Sequence, residues 1–234
     1  MLHPRRIDPD ALHLGLMLAL TFSTGVIDAA GYLGLDRVFT GNMTGNVVIL
    51  AMALTGAGGL PVAGPVVALG AFILGALVAG RALRSTEAGW SRRSTALLTT
   101  VSVLLVASAG MMLLAEPVAL ARTLTETVRL VVTGTLGLAM GMQAGAARHI
   151  GVKDVTTVVV TSTLVGLAFD SRFGARAGQR WPRRALAVVL IGAGAATGAL
   201  LLRVTLGLAL ALAAAITLVV AVLGHVGRPG PNRP

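Results

Sequence analysis

Six apolar runs, each close to 20 residues long, account for most of the 234-residue chain. They lie at about 13–35, 62–83, 95–115, 128–147, 185–202 and 204–223. A helix needs about 20 predominantly apolar residues to cross the hydrocarbon core of a bilayer, so each run is long enough for one crossing. Charged residues make up only 12% of the chain, roughly half the fraction found in soluble proteins. The sequence therefore predicts an all-α, polytopic membrane protein whose surroundings are the lipid bilayer.

Two shorter stretches between these runs mix apolar residues with polar ones. The first, at 38–58, contains Thr40-Gly41-Asn42-Met43-Thr44-Gly45-Asn46, and only 47–54 is continuously apolar. The second, at 155–169, is apolar but rich in threonine and serine. Polar groups inside a membrane cannot face lipid, so both stretches must be buried in protein or line a wet cavity. We therefore expect two short, broken helices at these positions.

The two halves of the chain resemble each other. A shift of 117 positions places 28–51 over 145–168, and it matches Thr40 with Thr157 and Thr44 with Thr161. The order of span, short stretch, span and span also recurs in each half, which is the kind of internal repeat seen in transporters. We expect a first repeat at 1–117 and a second at 118–234.

The arginine-rich loops at 81–93 and 170–184 indicate how the repeats are oriented. Eight spans would result if both short stretches crossed the membrane, and these loops would then lie on opposite faces, against the positive-inside rule. If both short stretches re-enter, six spans remain and the loops share one face with the N-terminus. We therefore expect six full spans plus two re-entrant helices in an inverted repeat, with eight spans as the alternative. Both termini are expected in the cytoplasm, and the location is the inner or plasma membrane.

Several functional classes find no support in the sequence. The chain has no cysteine, which excludes disulfides, thiolate metal sites and cysteine nucleophiles. His3, His13 and His225 are dispersed and do not have the spacing of metal ligands. A net charge of +10 could suggest nucleic acid, but the arginines lie in loops where they set topology. We therefore expect no metal, no cofactor, no nucleic-acid partner and no enzymatic activity.

Two motifs resemble a known family. Gly25-Val26-Ile27-Asp28-Ala29 followed by Phe39-Thr40-Gly41-Asn42-Met43-Thr44-Gly45-Asn46 is similar to the signature of the YoaK-like family of bacterial membrane proteins. The second-half pattern of Gly141, Gln143, Arg148, Thr157 and Thr161 also resembles that family. The resemblance covers nearly the whole chain and implies a small integral membrane protein of unassigned function, sometimes described as a transporter. Ala144 and Ser162 depart from the family pattern, which often has asparagine and glycine there.

Asp28 is the first candidate for a functional residue, because it is the only acid within an apolar run. A carboxylate inside a span usually faces the interior of the bundle or a cavity, and it often takes part in ion or proton movement. The alternative is a structural acid that bonds to helix ends or to a threonine such as Thr24.

The polar side chains of the two short stretches are the other candidates for substrate binding. The first-half set is Thr40, Asn42, Thr44 and Asn46, and the second-half set is Gln143, Thr157, Thr161 and Ser162. The alternative is that the asparagines cap and fix the short helix, while the hydroxyls bond to their own backbone. Gly25, Gly41 and Gly45 are expected to allow close helix packing.

We expect a small transporter or channel-like carrier for a small polar solute, coupled to protons through Asp28. The substrate would lie between the two short helices. The alternative is a non-transporting membrane scaffold, assembly factor or regulator in which the polar motifs only join helices. Glycine-lined helix faces suit a homodimer and internal packing equally well, so the sequence leaves that choice open.

Overall fold

The computed structural model describes residues 9–115, 122–152, 160–176 and 181–228. Within these ranges all the regular elements are helical, and there are eight α-helices and a short 3-10 turn at Ala57–Gly59. The α-helices are α1 (Pro9–Gly34), α2 (Met43–Leu54), α3 (Ala63–Leu83), α4 (Arg92–Ala115), α5 (Arg122–Ile150), α6 (Val160–Phe169), α7 (Trp181–Leu201) and α8 (Leu206–Val226).

Six of these helices are long and apolar enough to cross a membrane, namely α1, α3, α4, α5, α7 and α8. The predicted all-α, polytopic fold is confirmed. By contrast, α2 has 12 residues, which at 1.5 Å per residue span about 18 Å of a hydrocarbon core about 30 Å thick. The described part of α6 has 10 residues. Several spans begin earlier than predicted, and α5 begins at Arg122 rather than near 128, because a helix continues past its apolar part into the polar interface.

The six long helices divide into a central and a peripheral group. Inside the protein, 67% of the spanning part of α1 and 56% of that of α5 are buried, against 22% for α3 and 17% for α7. α1 packs against α7 and α8, and α5 packs against α3 and α4. The outer faces of α3 and α7 are therefore the surfaces left for lipid.

Glycines bring the backbones of two helix pairs into direct contact. At four glycines a carbonyl oxygen of the facing helix lies where a Cβ would be: Gly25 and Gly194 between α1 and α7, and Gly75 and Gly141 between α3 and α5. Any side chain at these positions would push the helices apart. This close approach through small residues is typical of helix packing in membranes.

The loop between α3 and α4 marks one end of the bundle, which we call the Trp90 end. Trp90 stacks on His13 near the start of α1, with 5.6 Å between ring centroids, and it packs against Gly224 near the end of α8. The backbone N–H of Gly89 donates to the carbonyl of His149, near the end of α5, at 3.2 Å. Thus α1 and α4 start at the Trp90 end, and α3, α5 and α8 finish there.

The direction of α7 follows from its contacts with α1. Gly194 lies against Phe22, and Gly198 lies one turn further along against Val26. Because both residue numbers increase together, α7 runs parallel to α1. Helices α1, α4 and α7 therefore run away from the Trp90 end, whereas α3, α5 and α8 run towards it.

The short helix α2 leaves and rejoins the bundle at the end opposite Trp90. α1 finishes there at Gly34. Asp36 follows, and its Oδ2 lies 3.2 Å from the position that a Cβ of Gly64 would take, at the start of α3. The chain between Asp36 and Gly64, which includes α2, therefore starts and returns at the same end.

Candidate functional site

The carboxylate of Asp28 receives the backbone of the polar motif that precedes α2. Its Oδ1 accepts hydrogen bonds from three successive backbone N–H groups, at 3.0 Å from Thr40, 2.7 Å from Gly41 and 3.4 Å from Asn42. Successive N–H groups that converge in this way form an anion-binding concavity. Here the bound anion is the protein's own side chain, so Asp28 ties α1 to the start of α2.

Gly41 allows the motif to reach α1. A Cβ at this position would lie 2.9 Å from the methyl carbon of Thr24 and 3.4 Å from each carboxylate oxygen of Asp28. A side chain would therefore lift the segment from α1 and lengthen the hydrogen bonds to Asp28. The position needs glycine because of this lack of space.

Asn46 and Asn42 fix the shape of the loop. The amide of buried Asn46 makes two hydrogen bonds to the backbone of Phe39: its Oδ1 accepts from the Phe39 N–H at 2.8 Å, and its Nδ2 donates to the Phe39 carbonyl. The Oδ1 of Asn42 accepts from the Gly45 N–H at 3.3 Å and caps α2. Both asparagine side chains thus have a structural role in this conformation.

The aromatic ring of Phe39 closes the same loop against two elements. It stacks on Tyr32 of α1 with 4.9 Å between ring centroids. The ring also packs against Gly45: a ring carbon lies 2.7 Å from the position that a Cβ of Gly45 would take. Gly45 therefore provides the space for the Phe39 ring, and the loop is held to α1 by this stack as well as by Asp28.

A hydrogen-bond chain links α5 to the site. Thr24 lies one turn before Asp28 on α1, and its hydroxyl donates to the Leu20 carbonyl at 2.9 Å. Because a hydroxyl has one proton, it can only accept from Gln143, whose Nε2 lies 3.2 Å away. This arrangement fixes the orientation of the Gln143 amide. It leaves the Oε1 of Gln143 buried and without a hydrogen-bond partner.

Within the described part of the chain, three oxygen atoms around the site have no protein partner. They are Oε1 of Gln143 and Oγ1 of Thr40, both of which belong to fully buried residues, and Oδ2 of Asp28, which makes no hydrogen bond within the described part of the chain. The Asp28 side chain is half-buried, while Asn42 and Thr44 are exposed. The site is therefore open at the start of α2, and it contains oxygen atoms that can still form hydrogen bonds.

The second-half candidates are placed differently from those of the first half. Gln143 lies at the site, but Thr161 and Ser162 are exposed on α6. Among the described helices, α6 packs only against α7. Thr157 lies outside the described residues. The structure thus brings Gln143 to Thr24, one turn before Asp28 on α1, and does not bring Thr161 or Ser162 there.

Thr24 and Phe39 are site residues that were not proposed as functional from the sequence. The spacing of Thr24 and Asp28 is a usable signal, because residues four apart share one face of a helix. Phe39 carries a weaker signal, since it directly precedes the polar motif. Thr24 bonds to Leu20 and Gln143 rather than to Asp28.

Other surfaces of the described chain do not compete with this site. Two open clefts of about 480 and 510 Å³ lie on α3 and between α3 and α5, and they are lined mainly by apolar side chains such as Phe72, Leu77 and Leu130. Such clefts suit lipid tails. Across 9–115, 122–152, 160–176 and 181–228, no three acidic or histidine side chains come together to hold a metal ion.

Comparison with known proteins agrees with the resemblance seen in the sequence. The chain is 29% identical over 155 residues to the UPF0700 transmembrane protein YoaK of Bacillus subtilis (strain 168), over 66% of this chain and 65% of that protein, so slightly less than two thirds of its length is covered. No solved structure matches. Residues 16–223 match the model of a family described as "Protein of unknown function (DUF1275)". The expected YoaK-like membership is confirmed, and the chain is a multi-pass membrane protein that belongs to the DUF1275 family.

Proposed function

We propose that this protein is a small transporter or channel-like carrier for a small polar solute, with Asp28 as the ionisable group of the pathway. The observation that supports the proposal is the unequal hydrogen bonding of the two carboxylate oxygens of Asp28. One oxygen is held by three backbone N–H groups, and the other has no hydrogen bond within the described chain. Charged groups inside a span are costly and usually serve ion, proton or substrate movement.

The directions of the helices support an inverted repeat around this site. Matched in order, α1 corresponds to α5, α3 to α7 and α4 to α8, and the two members of each pair run in opposite directions. Gly25 on α1 and Gly141 on α5 make equivalent contacts with α7 and α3. Two oppositely oriented halves with short helices between them are a recurrent transporter design.

The placement of charge supports the proposed orientation in the membrane. Arginines cluster at the Trp90 end, at the α3–α4 junction, the end of α5 and the start of α7: Arg81, Arg84, Arg92, Arg93, Arg148, Arg183 and Arg184. By the positive-inside rule this end is cytoplasmic, and both α1 and α8 have their outer ends there. The inner or plasma membrane is the proposed location, and a homodimer stays a prediction.

Proton coupling belongs to the same proposal. A proton can bind at Oδ2 of Asp28 without displacing the three N–H groups at Oδ1. Neutralising the carboxylate would weaken these charge-assisted hydrogen bonds. The start of α2 would then move more easily, so proton binding and opening of the site would be linked.

One observation favours the second candidate, a non-transporting scaffold or regulator. The side chains of Asn42, Asn46 and Thr24 all bond within the protein. If Asp28 also served only to hold the loop, the motif would be a purely structural link between α1 and α2.

Uptake by proteoliposomes separates the two candidates. Wild-type protein, Asp28→Asn and the control Glu87→Gln, an exposed acid in the α3–α4 loop, are tested with small cationic, neutral and anionic solutes under an imposed pH gradient. We expect gradient-driven uptake of at least one solute by wild type and Glu87→Gln, and the level of empty vesicles for Asp28→Asn. Unchanged uptake by Asp28→Asn would reject proton coupling through Asp28. No uptake of any solute by the wild-type protein would favour the scaffold.

A further inference from the structure

We propose that the Asp28 site binds a small cation that donates N–H hydrogen bonds, of the ammonium or protonated-amine class. This inference rests on the proposed transport function and names the substrate class of the same site. It follows from which hydrogen-bonding groups at the site are already used and which are left.

Most of the buried donors of the site are already committed; the exceptions are the second N–H of the Gln143 amide and the Thr40 hydroxyl. The N–H groups of residues 40–42 donate to Oδ1 of Asp28. The Thr24 hydroxyl donates to Leu20, and the Gln143 amide donates to Thr24. The Asn46 amide donates to Phe39. An anion would therefore be repelled by an ionised Asp28, and it could reach the three backbone N–H groups only by displacing that carboxylate.

The groups that remain are mainly acceptors. Oδ2 of an ionised Asp28 and Oε1 of Gln143 can only accept hydrogen bonds, and Oγ1 of Thr40 can donate or accept. The Gln143 and Thr40 oxygens are buried without a partner, and buried polar atoms in native proteins are nearly always satisfied by protein, water or ligand. A ligand that donates would satisfy them.

The residues that carry these oxygens are linked to Asp28 through one or two contacts. The N–H of Thr40 bonds to Oδ1 itself. Gln143 bonds to Thr24, whose methyl carbon and the Asp28 carboxylate both lie against Gly41. Together the carboxylate, the amide oxygen and the hydroxyl provide one negative charge and several acceptors, which match a compact N–H cation in charge and in hydrogen bonding.

Thermal unfolding of the purified protein tests the ligand class. The probes are ammonium chloride and methylammonium chloride, titrated against potassium chloride at constant ionic strength, with sodium chloride, potassium formate and acetamide as metal-cation, anionic and neutral comparisons. We expect a saturable rise in Tm with ammonium or methylammonium only, and no such rise in Asp28→Asn.

Two threonine variants give a matched comparison that does not depend on the Asp28 variant. Thr40 and Thr133 are both fully buried and have unpartnered hydroxyls, and valine replaces either with little change in shape. Thr40→Val should bind the ammonium-type probe about tenfold more weakly, because a hydrogen bond to a charged ligand is lost. Thr133→Val should bind it as wild type does.

The opposing outcomes are distinct for this inference and for transport. A rise in Tm with formate, acetamide or sodium instead of ammonium, no rise with any probe, or equal affinities in the two threonine variants would overturn the cation site. If labelled methylammonium binds but does not enter proteoliposomes, the cation site would stand and the transport function would be rejected. If a neutral or anionic solute is taken up in an Asp28-dependent way, the transport function would stand and the assignment of a cationic ligand would be rejected.

Discussion

Within the described part of the chain, the carboxylate of Asp28 is hydrogen-bonded through Oδ1 and not through Oδ2. Three backbone N–H groups hold Oδ1, and hydrogen bonds of this kind to a charged acceptor are among the stronger ones in proteins. The carboxylate cannot rotate without losing them. Oδ2 can therefore exchange a proton or a ligand while the loop before α2 keeps its place.

At the residue scale, Gly41→Ala should destabilise the protein. The added methyl would meet the Thr24 methyl carbon at 2.9 Å and press on Asp28, and we expect a cost of about 1–3 kcal/mol from overpacking. Gly70→Ala is the control, because a Cβ there meets nothing within 4 Å. Thermal unfolding measures both variants. Equal Tm values for the two would show that the motif does not pack on α1 in this way.

Individual site residues differed in how well the sequence revealed them. Asp28 was identifiable because an acid within an apolar run must face the interior of the bundle or a cavity. Gln143 was proposed for substrate binding, and it lies at the site with one free oxygen. Its bond to Thr24 was not predictable, since a partner 119 positions away depends on how α1 and α5 rotate about their axes.

At the element scale, glycines determine which helices pair. The contacts of α1 with α7 and of α3 with α5 bring backbone against backbone. The outer faces of α3 and α7 also carry glycines where an added Cβ would meet nothing within 4 Å, namely Gly70, Gly80 and Gly192. Two glycines of one helix thus have opposite roles that depend only on the face they occupy.

This difference gives a test within single helices. Gly75→Ala on α3 and Gly194→Ala on α7 place a methyl against a facing carbonyl oxygen, and each should cost about 1–3 kcal/mol. Gly80→Ala and Gly192→Ala on the same helices should be neutral or stabilise by up to about 1 kcal/mol, because alanine is the better helix former. Denaturation in detergent measures all four. A smaller effect at Gly75 and Gly194 than at their controls would contradict the helix pairing.

The positions of the spans were predictable because length and hydropathy determine them. Their pairing was not, since small residues occur on several faces of the same helix and periodicity does not distinguish a lipid face from a glycine contact. The short helices illustrate both cases. Their existence follows from the broken apolar pattern, whereas the packing of α6 on α7, with Thr161 and Ser162 exposed, depends on tertiary structure.

At the scale of the whole molecule, the proposed inverted repeat requires two halves that cross the membrane in opposite directions. α1 and α3 are antiparallel although α2 lies between them, so α2 adds no net crossing. The same holds for α5 and α7 with α6 between them. The loop before α2 is thereby held against α1 at Asp28.

Labelling of single cysteines from each side of the membrane tests this claim most directly, and the absence of native cysteine makes the experiment clean. Three exposed positions are suitable: Ala57 after α2, Ser85 after α3 and Ala175 after α6. We expect an impermeant thiol reagent to label Ser85→Cys and Ala175→Cys from the cytoplasmic side and Ala57→Cys from the opposite side. Labelling of Ser85→Cys and Ala175→Cys from opposite sides would mean that α6 crosses the membrane fully and would contradict the inverted arrangement.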